Sequence, residues 1–440
     1  MTKQIVFIII LVLTIVVFAY SFLRILRFFK LTKGKFKIDH LGKRIGITLN
    51  VAFFQSKIFR KPIIGFLHAL VFWGFCVILF GSIEMVIDGI SGSERSLSSL
   101  GVIYDIFMAS GDIFALLIAI AILVFLFRRV FMKIKRFQGA ELKKKSKQDA
   151  NLALSIIFLL MVSLLGMNSA YLALVSDQYV GIYPISTFLA PLISANDPTT
   201  LHIIHETNWW VHIGLVFLFA NILPYSKHFH VFMSIPNVFL SRLEPLGKIR
   251  TMESIKKEVE LMMDPNAAFA APAENEEETI ERFGVMDAED TDWKNYLDSL
   301  TCTQCGRCTS VCPANQTGKK LSPRKVFVDL RARMKEKGPE LLKNKDYNDQ
   351  KSLLRDYIAE EELWACTTCN ACAKECPLNI NHPSLIVDMR RYLVLEESAA
   401  PAELNAVFTN IENNGAPWQF SPEDRILWTQ DLYMNEKPTK

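Results

Sequence analysis

Eight of the nine cysteines in this chain fall into two runs of one design. TCTQCGRCTSVCPA, residues 301–314, sets Cys302, Cys305, Cys308 and Cys312 within eleven positions. ACTTCNACAKECPL, residues 365–378, repeats the pattern with Cys366, Cys369, Cys372 and Cys376. Three thiolates spaced C-x2-C-x2-C can wrap one iron–sulfur cube, and the fourth, placed before proline, turns to a second cube. The spacing therefore predicts two [4Fe-4S] clusters with crossed ligands. Cys302, Cys305, Cys308 and Cys376 hold one; Cys366, Cys369, Cys372 and Cys312 hold the other. Structural zinc sites usually take their ligands as two separated pairs, so the doubled C-P run favours iron–sulfur. The clustering also favours metal ligation in a reducing compartment over a disulfide framework. Two such cubes pass single electrons and make no bonds, so the region that holds them reads as a wire.

Imidazoles form the second candidate set. His68 is the one histidine of an otherwise apolar run, and ionisable groups in such runs are rarely kept without a role. His212 and His230 stand eighteen residues apart, five turns at 3.6 residues per turn, so they share a helix face if Pro224 does not rotate the helix. His205, seven residues before His212, falls on that face too, whereas His228 does not. A histidine facing a bundle interior is a natural axial ligand for haem iron, and His68 is read as one. His202 and His228 read first as solvated or backbone-bonded residues. Cys76, Asp112, Trp209 and Trp210 read first as packing or interface residues.

Five apolar runs are long enough to carry these histidines across a bilayer: residues 5–26, 62–83, 103–127, 151–176 and 207–225, the last with an alternative start at 201. Hydrophobic residues make up 50% of the chain, and the first run is too long for the core of a cleaved signal, so it reads as a retained span. Residues 29–61 and 128–149 hold nine Lys or Arg each, while 84–105 hold only Arg95 and 177–206 none. By the positive-inside rule the two basic loops face the cytoplasm, the N-terminus lies outside, and everything after the fifth span is cytoplasmic. The net charge of +4 comes without a basic stripe on a folded face, which excludes a nucleic-acid-binding profile.

Beyond the last span the composition changes. Residues 241–290 read as a linker, with the acidic stretch AFAAPAENEEE as its mobile part. From 291 to 440 the pattern is helical, as in SPRKVFVDLRARMKEK and SLLRDYIAEEELWAC, and carries no Rossmann glycine fingerprint. The expected fold is all-α: a five-helix transmembrane bundle over residues 1–240, then a cytoplasmic helical domain with both cysteine runs.

The membrane half, with His68, His212 and His230, resembles the haem b subunit of respiratory nitrate reductase and, more nearly, that of membrane-bound heterodisulfide reductases. The two cysteine stretches resemble the iron–sulfur domain of heterodisulfide reductase, and are similar also to glycolate oxidase iron–sulfur subunits and ETF:menaquinone oxidoreductases. The resemblance implies an α-helical ferredoxin fold and a menaquinone-linked complex in a bacterial cytoplasmic membrane. It implies that His68 and His230 ligate the haem nearer the cytoplasm, and His212 a deeper one. The nitrate reductase pattern has a further histidine on the second span where this sequence has Ile78. One haem b is therefore expected, and a second stays open, with Met108 as a substitute ligand.

These readings converge on a membrane-bound subunit passing electrons between menaquinone, haem b, two [4Fe-4S] clusters and a cytoplasmic partner. Two rivals stay open: a non-catalytic anchor for a soluble iron–sulfur enzyme, and a conduit from an extracytoplasmic donor with no quinone site. In the resembling fused proteins a domain with CCG-type cysteine motifs follows, and this sequence reaches Lys440 without one. The expected partner is such an iron–sulfur subunit on a separate chain, contacting the region of Pro417, Trp418 and Trp428.

Overall fold

The computed structural model describes residues 2–34, 38–139, 142, 144–175, 181–194, 196–264 and 282–434. The part of the linker expected to be mobile, AFAAPAENEEE, lies outside them, within residues 265–281. No strand forms among the described residues; two isolated bridges, Lys33 with Asp292 and Leu354 with Ile358, are the only β pairing there.

Among the described residues, four helices are long and apolar enough to cross a membrane: Thr2–Leu31, Pro62–Ser91, Val102–Val130 and Lys144–Leu174. A fifth span exists if the bent pair Pro198–Tyr225 and Lys227–Phe239 is taken as one. Local chemistry sets the ends. Pro62 occupies the first turn of the second span, where its missing N–H costs nothing, and Gly92 closes that helix at φ 76°. Asp197 caps the fifth span by accepting the Thr200 N–H at 2.6 Å. Each span packs on the next in chain order, and the fifth closes on the first, so the five form a ring. Leu70, Ile118, Ile122, Ile156 and Leu160 fill the space between spans two, three and four. On the other side Phe7 meets Trp209 and Phe217, and its ring lies where a Cβ on Gly89 would sit, so only glycine lets these two helices approach. Ile9, Leu13 and Val16 face outward from the first span, as side chains in lipid contact do.

One expectation needs correction. The five-turn spacing from His212 to His230 assumes a continuous helix, but the chain breaks at Pro224 and Ser226 and turns by 97°. Ser226 is extended and its side chain accepts the His228 N–H, starting a new element. His230 opens a separate helix, His230–Phe239, and helical phase says nothing about its relation to His212.

The chain divides by contact into two units. The first joins residues 1–251 to 287–386, so the bundle and both cysteine runs form one body. Its cysteine-bearing part is built around the helix Pro323–Leu341, whose Val326, Phe327, Leu330 and Met334 are fully buried. Arg333 in that helix is buried too, paired with Asp287 at 2.7 Å and Asp349 at 2.6 Å. The second unit comprises residues 252–286 and 387–440. In it Val285 N–H donates to Asp388 O at 3.0 Å, and the helix Ala402–Asn414 has no buried residue.

Candidate redox centres

The two cysteine runs fold alike. Gln304 and Thr368, both second after the first cysteine, take left-handed φ values of 59° and 52°. Gly306 and Asn370 do so again at 75° and 60°. A side chain on Gly306 would also collide with Arg136 O at 2.8 Å. Each run then enters a short helix, Arg307–Ser310 or Ala371–Glu375, and each last cysteine is extended before its proline, with ψ 118° at Cys312 and 121° at Cys376. Pro enforces that extension on the residue before it. The turned backbone aims successive thiols to one side and the last thiol to another.

The thiols group accordingly. Cys302, Cys305, Cys308 and Cys376 line one small cavity together with Arg324 and His382. Cys372 interacts electrostatically with Cys366, Cys369 and Cys312. Cys376 thus lies among the thiols of the first run and Cys312 near Cys372, while Cys308 also interacts with Cys372. Burial pushes the Cys302 thiol up; in Cys308 the surrounding thiols add to burial. Burial and the same like-charge crowding push Cys372 and Cys376 up to about 12. Four thiolates cannot be gathered there unless a cation supplies the opposing charge, which fits a site built for metal. Among the described residues no three His, Cys, Asp or Glu converge on a position for a single ion; the first four thiols surround a void instead.

The surroundings of the two sets differ. Arg331 donates to Cys302 O at 3.3 Å, Arg324 to Gln304 O at 3.3 Å, and Lys57 to Cys376 O at 3.3 Å. These cations surround the first set, whereas Cys369 in the second is exposed. His382 is buried against Phe327 and lines the first cavity, with the Ile380 carbonyl acting on its ring. A polar ring this close to four thiols fits a group that tunes a cluster. Sequence reasoning missed His382, and only its place six residues after Cys376 could have pointed to it.

The histidines expected to bind haem share a second feature. His68 Nδ1 lies 3.1 Å from Gln55 Oε1, His230 Nδ1 3.3 Å from Lys227 O, and His212 Nδ1 3.0 Å from Leu160 O. A carbonyl acceptor makes Nδ1 the donor and leaves Nε2 as the free, basic nitrogen, the arrangement that orients metal-bound imidazole. Gln55, itself buried at φ 52°, has no sequence signal. His68 and His230 are near enough to interact electrostatically, and Arg307 of the first cysteine loop acts on His68 as well. Arg307 in turn donates to Lys57 O at 2.9 Å and Ile58 O at 3.2 Å, just before the second span. His228 Nδ1 instead pairs with Ser226 Oγ at 2.9 Å.

His212 and His205 lie elsewhere, on a cavity of about 380 Å³ inside the ring. Its walls come from the start of the first and fifth spans and the end of the second and fourth, with Met108 and Ile78 among them. The cysteine loops touch the opposite ends of those helices, through residues 57, 58, 136 and 237. Of the residues expected to be packing, Asp112 caps the helix Pro184–Leu189 through Ile185 N–H at 2.7 Å and Ser186 N–H at 2.9 Å. Cys76 is exposed. Trp418 and Trp428 are 53% and 68% exposed, not packed away.

Residues 294–377 match the 4Fe-4S dicluster domain family. Over 425 residues the chain is 32% identical to a probable iron–sulfur-binding oxidoreductase, FadF, of Bacillus subtilis, covering 89% of this chain and 56% of that one. It is 29% identical over 458 residues to the EtfAB:quinone oxidoreductase of Syntrophomonas wolfei, covering 97% and 60%. Over 106 residues it is 35% identical to one subunit of a ferredoxin/F(420)H(2)-dependent CoB-CoM heterodisulfide reductase of Methanosarcina acetivorans, covering 24% and 52%. The chain therefore spans less than two thirds of each of these relatives. No solved structure matches it.

Proposed function

We propose that this chain carries electrons between a quinone, menaquinone on the resemblance, and a cytoplasmic redox partner. The route runs through a haem b held by His68 and His230, then the cluster of Cys302, Cys305, Cys308 and Cys376, then that of Cys366, Cys369, Cys372 and Cys312. One juxtaposition carries the reading: Arg307, inside the first cysteine run, donates to Lys57 O and Ile58 O, directly before the span that carries His68, within a single body. A membrane anchor has no need of two oriented imidazoles beside a cysteine cluster. Bound there, haem and clusters supply one-electron chemistry. The protein supplies Gln55 and Lys227 O to orient the imidazoles, and burial to keep water from the path.

The quinone reading draws support from a relative named as a quinone oxidoreductase, and the partner reading from one named as a subunit of a heterodisulfide reductase. The exposed Cys369 gives the second cluster a surface from which electrons reach a partner of the CCG iron–sulfur type. On the second unit, the exposed Trp418 and Trp428 are by themselves candidate aromatic anchors for such a partner. Orientation follows the charge of the loops: the basic segments that hold the cysteine runs face the cytoplasm. Reduced-minus-oxidised spectra of membranes test the core of this. The wild type is expected to show a low-spin haem b band reducible by menadiol, and His68→Ala to lose it. An undiminished band in the variant overturns the assignment, and no band in the wild type favours the anchor reading.

A further inference from the structure

Glu84 lies near the far end of the second span and is almost fully buried. Its Oε1 accepts the Leu97 N–H at 3.1 Å and its Oε2 the Tyr104 hydroxyl at 3.3 Å. The Tyr104 hydroxyl also meets the Tyr183 hydroxyl at 3.2 Å and accepts from Arg95 Nη1 at 3.4 Å. The Arg95 guanidinium stacks over Tyr171 at 4.2 Å and Tyr183 at 4.6 Å, roofing the chamber. Glu84, Arg95, Tyr171 and Tyr183 all line the 380 Å³ cavity, with His205 and the Lys3–Glu206 pair, whose atoms are 2.6 Å apart. A carboxylate kept inside a spanning helix is costly and marks a functional path. Here its hydrogen bonds run toward the helix ends, away from the cysteine loops.

The walls also select the occupant. Among the described residues, five carboxylates line the cavity, Glu84, Asp88, Glu94, Asp112 and Glu206, against two cations, Lys3 and Arg95. A haem would bring further carboxylates into that excess. A neutral ring whose carbonyl oxygens take up protons would not, and a chamber of this size suits one ring system. Open space beside Gly81 and Gly111, where a Cβ would meet nothing within 4 Å, leaves room for a flat group between spans two and three.

We propose that Glu84 is the proton-exchanging residue for a quinone whose head group fills this cavity. The proposal rests on the quinone reading above and adds the residue and the side of the membrane. In the reducing direction a quinone takes two electrons, one at a time from the chain's iron centres, each of which is oxidised by one. It takes two protons, one for each carbonyl oxygen, and becomes the quinol. Glu84 gives each proton and is reprotonated from the compartment opposite the cysteine loops, with Tyr104 and Tyr183 as the hydrogen-bonded way out. The reverse direction releases both protons to that side. Electrons and protons therefore reach the ring from opposite ends of the bundle.

The test uses the purified full-length chain, with its iron centres in place, and menadiol as the probe. Rates of haem and cluster reduction are followed against pH. Glu84→Gln is expected to slow them by about a hundredfold and flatten the pH profile, with Glu84→Asp recovering part of the rate. Dithionite should reduce every variant fully. The infrared difference spectrum between oxidised and reduced states should carry a carboxyl band that Glu84→Gln removes. If Glu84→Gln fails to assemble, Tyr104→Phe keeps the ring, removes the donor to Glu84 and is expected to shift the pH profile. A Glu84→Gln protein with unchanged rate and profile, or an unshifted Tyr104→Phe profile, overturns the proposal while leaving the quinone reading intact. A wild type that dithionite reduces but menadiol does not overturns both.

Discussion

At the scale of single residues, the crossed thiols and their surroundings make separable predictions. Cys312 follows Cys308 in the chain but groups with Cys372, so Cys312→Ser should damage the cluster of Cys366, Cys369 and Cys372 and spare the one beside its own neighbours. Electron paramagnetic resonance of the reduced variant checks this, and loss of the near cluster alone would refute the crossing. The cavity of the first cluster carries Arg331, Arg324 and Lys57 at its margin and the imidazole of His382 in its wall. Positive charge and donors to sulfur raise a cluster's potential. His382→Phe removes the polar imidazole and keeps a ring of similar bulk, so it should lower the midpoint of the first cluster, on the order of tens of millivolts, and leave the second unmoved. A redox titration with both signals followed decides it. The cysteines were legible because their spacing is the chemistry. Gln55, Arg331 and His382 were not, since each acquires its meaning only from a neighbour that folding brings to it.

At the scale of elements, length and apolar content place the spans to within a few residues at many ends, but the second runs on to Ser91 and the fourth begins at Lys144. Helix propensity continues past the point where hydropathy fades, so charged helical turns read as loop in the sequence. The break at Pro224 lay in the sequence, yet the size of the turn depends on Ser226 and the helix it caps. Also hidden was the buried network on Pro323–Leu341, where Arg333 donates to Asp287 at 2.8 and 2.7 Å and to Asp349 at 2.6 and 2.7 Å, and Lys337 to Asp287 at 2.8 Å. Arg333→Met would leave Asp349 without its cation and Asp287 with Lys337 alone, a change bounded by the about 3–5 kcal/mol that breaking a buried pair on one side costs. Heat-induced bleaching of the clusters should begin at a clearly lower temperature; an unchanged midpoint would refute the network's role. The hydrogen bond from Arg333 holds the Asp349 carboxyl well below the usual range. Its stabilisation is therefore full above the ordinary carboxylate pKa, about 3.9, and fades as pH falls below it. The wild type should outlast the variant at neutral pH, and the gap should narrow in acid.

At the scale of the whole molecule, bundle and cysteine runs share one body, with the far cavity at one end and the exposed Cys369 at the other. If the order is quinone, haem, first cluster, second cluster, then removing a link should isolate what lies beyond it and nothing before it. His68→Ala should leave both clusters reducible by dithionite but unreachable from menadiol. Cys369→Ala should leave haem b and the first cluster reducible by menadiol while transfer to an added soluble acceptor stops. A parallel arrangement, with quinone feeding the clusters past the haem, predicts that menadiol still reduces the clusters in the His68 variant. A dead-end haem predicts the same, because electrons would then bypass it in the wild type too. Stopped-flow spectra of the two variants, recorded at haem and cluster wavelengths in one mixing experiment, separate the series from both alternatives. Arg307 makes the series the expected result: it is bonded to the segment before the second span, so the first cysteine loop is the part of the cysteine domain that meets the helix carrying His68. The second cluster, built from the later loop and Cys312, is then left to face the partner.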